Sequence, residues 1–274
     1  MKSNTRLSEY VGSWALVTGA SSGIGAEFCR QLSCRGVNLV LVARRTNQMN
    51  SLAAELQKKN QIQTLVIPLD LSSPGSAASL ISTVESRGIK IRMLINNAAY
   101  GPWGPFERID LPDAERLVQL LIGTPTALIR GFLDHLSSFP TAAIINLSSQ
   151  AALQPIPYLA TYAACKSGLH QLSLALYEEF RTRGIYVQTL IPGPTQTEID
   201  QVGKAYKSGV SEKRDPPEKI VSLSLNAIPS RRPIISGAPN IFFQKAFSAL
   251  FPTTFVLNKI GQLFQPPSLA SKKS

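Results

Sequence analysis

Short apolar runs alternate with amphipathic stretches along most of the chain. Trp14–Thr18 (WALVT) reads as a buried strand, and the segment from Gly23 (GIGAEFCRQLSCRG) as a helix with Phe28 and Leu32 on one face and Gly36 as its stop. Val37–Ala43 is a second strand, followed by a helix through Gln48–Asn60. Gln63–Asp70 gives a third strand, Pro74–Arg87 a helix and Arg92–Ala98 a fourth strand. Pro112–Ser138 is predicted as one long helix, bent near Gly123 and Pro125 because proline removes a backbone donor. Ala142–Ser149 is a fifth strand, Tyr158–Arg183 a long helix and Ile185–Gly193 a sixth strand. This βα alternation predicts an α/β fold, a Rossmann-like doubly wound parallel sheet in three α/β/α layers.

No internal linker or low-complexity stretch divides the chain, so a single domain with a C-terminal helical extension is expected. Its cofactor half would span about 12–110, its catalytic half about 111–197, and a substrate lid with C-terminal helices about 198–265. The stretch 198–232 is polar and reads as irregular, and Arg232–Gly237 as a last short strand. Two apolar helical stretches, NIFFQKAFSALF and TTFVLNKIGQLF, follow and are split by Pro252.

The strand-to-helix turn VTGASSGIGAEF carries the first chemistry. Gly19, Gly23 and Gly25, spaced GxxxGxG, let the backbone turn tightly and approach a pyrophosphate, while Ser21, Ser22 and Ile24 fill the turn. The helix N-terminus then offers free N–H groups to phosphate. A carboxylate at the end of the second strand would select an adenosine ribose with a free 2′-hydroxyl; here Ala43 is followed by Arg44 and Arg45. Guanidinium groups bind phosphate oxygens through charge-assisted pairs, so NADP(H) is expected over NAD(H), with Arg44 the first choice because it comes first after the strand.

With that turn in place, the later motifs fall into a known order. The stretches TGASSGIG, Asp70–Leu71, NNAA at 96–99, Ser149, YAACK and PGPTQT at 192–197 resemble the short-chain dehydrogenase/reductase family, from about Trp14 to Thr197. The resemblance implies that Asp70 bonds the adenine, that Asn97 and Ala98 line the adenosine ribose, and that Pro192, Gly193 and Thr197 hold the nicotinamide end. It implies Ser149, Tyr162 and Lys166 as catalytic residues, with Tyr162 and Lys166 also touching the cofactor. The chemistry supports those roles. Carbonyl reduction needs a hydride on carbon and a proton on oxygen; Tyr162 can supply the proton, and Lys166, four residues on and on the same helix face, would lower the phenol's pKa. Ser149 can polarise the carbonyl oxygen, whereas Ser148 should point the other way.

Two positions depart from the family's pattern. Aligned on Gly123, the position usually held by a relay asparagine is Leu120, which neither donates nor accepts; the neighbouring Gln119 is rotated by about 100° and should point elsewhere. Ala99 stands where glycine is common. The two function classes that follow are a carbonyl reductase and a catalytically impaired or non-catalytic NADP(H)-binding protein on the same fold.

Composition narrows partners and setting. The three cysteines, Cys29, Cys34 and Cys165, form no CxxC pair, which argues against a disulfide framework or structural zinc; His135 and His170 lack ligand spacing, and no metal is expected. No secretory leader and no spanning run of about 18 apolar residues is read, so a cytoplasmic protein is expected. The formal charge is +11, and from Gln201 onward eleven Lys and Arg stand against three acids. That excess suits an anionic membrane surface, an acidic carrier protein or a phosphorylated substrate. No nucleic-acid motif accompanies it, and nucleic acid is not expected. The substrate is expected to be a hydrophobic ketone, aldehyde or β-ketoacyl group, with Tyr100 and Trp103 joining Ser149 and Tyr162 around it. A homodimer or homotetramer is implied by the family resemblance.

Overall fold

The computed structural model describes residues 5–195, 214–238 and 251–266, with positions 241, 244, 246 and 250 between them. Seven strands form one sheet in the order β3-β2-β1-β4-β5-β6-β7. They are β1 (Trp14–Thr18), β2 (Asn38–Ala43), β3 (Thr64–Pro68), β4 (Ile91–Asn96), β5 (Ala142–Leu147), β6 (Ile185–Ile191) and β7 (Ile234–Ser236), and every adjacent pair is parallel. The helices are α1 (Gly23–Ser33), α2 (Thr46–Asn60), α3 (Ser76–Ser86), α4 (Leu111–Val118), α5 (Thr124–Gly131), α6 (Leu133–Ser137), α7 (Ala160–Glu179), and two later ones, Pro217–Ala227 and Thr253–Phe264.

The strands are apolar on both faces because both faces are covered, as βα crossovers require. Ala15, Val17, Leu39, Leu41, Met93 and Ile95 pack against α1, α2 and the Pro217–Ala227 helix. The alternate residues Leu16, Val40, Val42, Leu94 and Ile144 pack against α3, α5 and α6 on the other face. The strand order reverses beside β1, whose neighbours are β2 and β4. In such sheets the ligand crevice lies at the carboxyl ends of the strands around that reversal.

Three expectations change. The long helix expected over 112–138 is broken into α4, a π turn at Gln119–Gly123, α5 and α6. Pro125 cannot donate to the preceding turn, and the wider π turn absorbs the mismatch before Pro125 takes an early position in α5. The Tyr158–Arg183 helix starts later, at Ala160, because Tyr158 sits at φ 66°, outside helical geometry. The stretch 198–232 is not irregular throughout. Pro217–Ala227 forms a helix that begins on proline, where the missing N–H costs nothing, and buries Ile220, Val221 and Leu225 against the first face of the sheet. The apolar stretch NIFFQKAFSALF lies mostly outside the described residues; TTFVLNKIGQLF is the Thr253–Phe264 helix.

Candidate active site

A cleft of about 470 Å³ runs across the carboxyl ends of β1 to β6. Its floor at β1 is fixed by tight backbone packing. Gly19 and Gly23 adopt φ of 66° and 54°, which favour glycine. A Cβ at Gly19 would stand 2.6 Å from Asn97 Nδ2, and one at Gly25 would strike the Gly19 carbonyl. Asn97 Nδ2 donates to the Thr18 carbonyl at 2.8 Å, and the Thr18 hydroxyl accepts from the amides of Asn97 and Ala98 at 2.9 and 3.0 Å. Thr18 thus joins the ends of β1 and β4, a role that only its place before the glycine turn could have signalled. The N-terminus of α1 has no side-chain cap and no acid in its first turn, so its amides remain available to an anion.

At the end of β2, Arg44 is exposed and Arg45 is half-buried; both line the cleft. Arg45 Nε donates to Ser21 Oγ at 3.2 Å, and a second guanidinium nitrogen donates to Ser22 Oγ. The second arginine is therefore already fastened to the glycine turn, whereas Arg44, favoured on sequence, lies more open. At the end of β3, burial works to raise the Asp70 pKa, but hydrogen bonds from the Ser72 hydroxyl and amide, at 2.7 and 3.0 Å, with Arg44 and Arg116 nearby, bring it below the ordinary value. Asp70 stays an acceptor with a fixed orientation. Ser72, two residues on, is the local turn partner that an Asp–x–Ser spacing signals.

The catalytic candidates meet at the other end of the cleft. Ser149 follows β5, and its Oγ accepts from the Ala151 amide at 3.1 Å and bonds Tyr162. Ser148 turns away and donates to the Lys166 carbonyl at 3.2 Å. Tyr162 and Lys166 lie one turn apart on α7, with Lys166 Nζ 5.8 Å from the tyrosine ring centroid. The expected lowering of the phenol's pKa by Lys166 is not seen. Burial raises it, and only the Ser149 hydrogen bond opposes that. The reason is geometric: Lys166 Nζ donates to the Leu147 carbonyl at 2.7 Å, beside the ring face. Burial also lowers the Lys166 pKa from 10.5 to about 8.

Pro192 and Gly193 line the cleft after β6, and Thr197 lies outside the described residues. Leu120 reaches the cleft from the π turn and packs among Ala98, Ala99 and Tyr100, while Gln119 turns away and donates to the Thr124 hydroxyl at 3.2 Å. Ala99 has no positive φ, so its methyl strains nothing. Tyr100 lines the cleft with its hydroxyl on the Asp113 carbonyl at 3.3 Å. Trp103 is not among the lining residues; its indole N–H donates to the Phe264 carbonyl at 3.0 Å, tying the loop after β4 to the Thr253–Phe264 helix. Arg214 lines the cleft without having been singled out by any motif. Among the described residues no cluster of three or more potential metal ligands occurs, and the three cysteines are free.

The geometry agrees with what comparison finds: residues 13–206 match the family described as short chain dehydrogenase. The chain belongs to this family of oxidoreductases. The very-long-chain 3-oxoacyl-CoA reductase of Anas platyrhynchos is 27% identical over 254 residues, covering 90% of this chain and 78% of the relative. The Bos taurus enzyme of the same name is 29% identical over 198 residues, covering 70% of this chain and 62% of the relative, so this chain spans about three fifths of it. A short-chain dehydrogenase from Sphingobium yanoikuyae in complex with NADPH superposes with a TM-score of 0.78 at 28% identity, covering 86% of this chain and 93% of that one. A bulky-bulky ketone specific alcohol dehydrogenase from Comamonas testosteroni gives 0.72 at 27%, covering 96% and 95%. In this short-chain dehydrogenase the uncapped α1 terminus, the glycine floor and the oriented Asp70 lie along one cleft. Among the described residues no helix is long and apolar enough to cross a membrane.

Proposed function

We propose that the protein is an NADPH-dependent reductase that converts a bulky apolar ketone, of the 3-oxoacyl thioester kind, to an alcohol. One observation carries this reading. Ser149, Tyr162 and Lys166 converge at one end of a cleft whose other end holds two arginines over an anion-ready helix terminus. Arg45, fastened to Ser21 and Ser22, and Arg44, open to the cleft, would hold the cofactor's 2′-phosphate; Asp70 would accept from the adenine, and the Asn97–Ala98 backbone would line its ribose. When bound, NADPH supplies the hydride. The substrate carbonyl oxygen would sit between the Ser149 and Tyr162 hydroxyls, Ser149 donating a hydrogen bond and Tyr162 the proton. A phenol whose pKa is raised by burial stays protonated at neutral pH, which suits an acid in the reducing direction. Lys166, drawn from the Leu147 carbonyl toward the cofactor ribose, would stabilise the tyrosinate that forms. Leu120 supplies no relay, so protons return to Tyr162 from water entering the cleft.

The test is consumption of NADPH by the purified protein with long-chain 3-oxoacyl thioesters and bulky free ketones, against Tyr162→Phe. Turnover lost in the variant, with NADPH binding intact, supports the reading. Tight NADPH binding with no turnover on any carbonyl would favour the non-catalytic alternative that Leu120 raises. Gel filtration with light scattering tests the expected homodimer or homotetramer.

A further inference from the structure

The loop after β4, AYGPWGP at 99–105, meets the Tyr162 ring at Gly101. A Cβ built on Gly101 would lie 3.2 Å from Tyr162 Cδ2, 3.4 Å from Cε2 and 3.7 Å from Cγ, its three nearest atoms. Carbon atoms prefer about 3.5–4.0 Å, so a side chain here would push the ring aside. Gly101 has no positive φ. The ring, and not the backbone conformation, is what excludes a side chain at this position.

The loop is braced against backing away. The Tyr100 hydroxyl donates to the Asp113 carbonyl at 3.3 Å, the Trp103 indole to the Phe264 carbonyl at 3.0 Å, and the Gly104 amide to the Tyr158 carbonyl at 3.0 Å. These bonds reach α4, the Thr253–Phe264 helix and the entry to α7. Pro102 and Pro105 lock φ at two more positions. Tyr158 takes φ 66°, a conformation that a bulky residue keeps only where its surroundings hold it, and its carbonyl is the acceptor for Gly104.

The ring itself has little freedom. Tyr162 packs against one apolar cluster with Leu121 and Cys165 and another with Ile156 and Ile260, and its hydroxyl bonds Ser149. Ala99 and Tyr100 line the cleft, whereas Gly101 does not. Gly101 therefore meets the ring from outside the space that substrate and cofactor would fill. The ring pivots at its Cβ, and the hydroxyl lies farther from that pivot than Cδ2 does. A displacement at the edge is magnified at the oxygen.

We propose that Gly101 is a positioning residue for Tyr162: by carrying no side chain, it lets the braced loop seat the ring edge and fix where the phenol oxygen stands beside Ser149. Its part in catalysis rests on the reductase reading above; its part in placing the phenol does not.

The experiment sets Gly101→Ala and Gly101→Val beside Gly168→Ala, a control that adds a methyl to α7 itself with only Ile122 in reach, at 3.8 Å. The full chain is labelled with carbon-13 at the tyrosine Cζ, and the Tyr162 signal is assigned by its loss in Tyr162→Phe. Both Gly101 variants should shift that signal and its titration midpoint, valine more than alanine, and Gly168→Ala should leave both in place. In the turnover assay kcat should fall about tenfold in Gly101→Ala and about a hundredfold in Gly101→Val, with KM and the NADPH dissociation constant within about twofold. A Tyr162 signal unmoved in both variants overturns the proposal. So does an unchanged kcat where the signal has shifted, a loss shared by KM and NADPH binding, or an equal effect of Gly168→Ala. Should valine prevent folding, alanine carries the test, since its methyl asks the ring to give by only a few tenths of an ångström. A wild-type protein that consumes no NADPH with any carbonyl defeats the reductase reading alone, and the Tyr162 signal still decides whether Gly101 places the phenol.

Discussion

The glycine-turn wall of the cleft, proposed for the cofactor, is held by backbone, whereas the Thr253–Phe264 helix, which packs beside Tyr162 and would form a wall for the substrate, is held by side chains from distant segments. At β1, Gly19, Gly25, Asn97 and Thr18 approach so closely that an added methyl would collide. At the far end, among the described residues, the Thr253–Phe264 helix packs on a small apolar cluster and accepts the Trp103 indole hydrogen bond across 161 residues of chain. The first wall tolerates almost no change in shape; the second has room at Gly261, where an added methyl would make only ordinary contacts among the described residues.

The largest expected effect tests whether the two walls serve one reaction. Tyr162→Phe should lower kcat by about 10²–10⁴-fold while the NADPH dissociation constant hardly moves, since the phenol oxygen acts on substrate. A parallel loss of NADPH affinity would place Tyr162 in the cofactor wall instead. The next pair compares the walls directly. Gly25→Ala should cost about 1–3 kcal/mol, read as a fall in Tm with loss of NADPH binding, because its Cβ meets the Gly19 carbonyl. Gly261→Ala meets Pro157 Cγ at 3.6 Å and Cβ at 3.9 Å, ordinary contacts, and should hold or raise Tm since alanine favours helix. Equal costs would show that the two walls are equally tight.

Two smaller effects sharpen the cofactor wall. Arg44→Ala and Arg45→Ala should each weaken NADPH by about tenfold to a hundredfold and NADH much less, measured by fluorescence titration. Equal losses for both cofactors would remove the 2′-phosphate assignment. Lys166 is protonated below its pKa of about 8 and loses its charge as pH rises through that value. NADPH affinity should therefore fall between about pH 7 and 9, and Lys166→Met should flatten the profile. The smallest effect is at the boundary between walls. Leu120→Asn should change kcat by less than about threefold, since water reaches Tyr162 through the open cleft; a larger gain would show that the missing relay limits turnover.

The difference between the walls also explains what the sequence made legible. Strands could be placed within a residue or two because each is apolar on both faces and flanked by turn residues, and the glycine turn announced itself because the backbone permits little else there. The convergence of Ser149, Tyr162 and Lys166 followed from motif order. The π turn was not legible: its proline and glycine signalled a bend, but the wider turn depends on Thr124 bonding both Gln119 and the Leu71 carbonyl, 53 residues away. Trp103 is expected at the substrate because an aromatic after β4 suits a pocket; its hydrogen bond to Phe264, far along the chain, has no signal in the sequence. The Lys166–Leu147 bond was likewise hidden, since a carbonyl acceptor has no residue-type signature.

The order of the strands has a consequence for how such a protein changes over time. Gly19, Arg44, Asp70, Asn97, Ser149 and Gly193 each stand within two residues of the carboxyl end of a different strand. The sheet and its helices carry the stability, while each loop would carry its own contacts with the ligand. Selection can therefore exchange one loop at a time, altering which molecule enters the cleft without reopening the question of whether the chain folds.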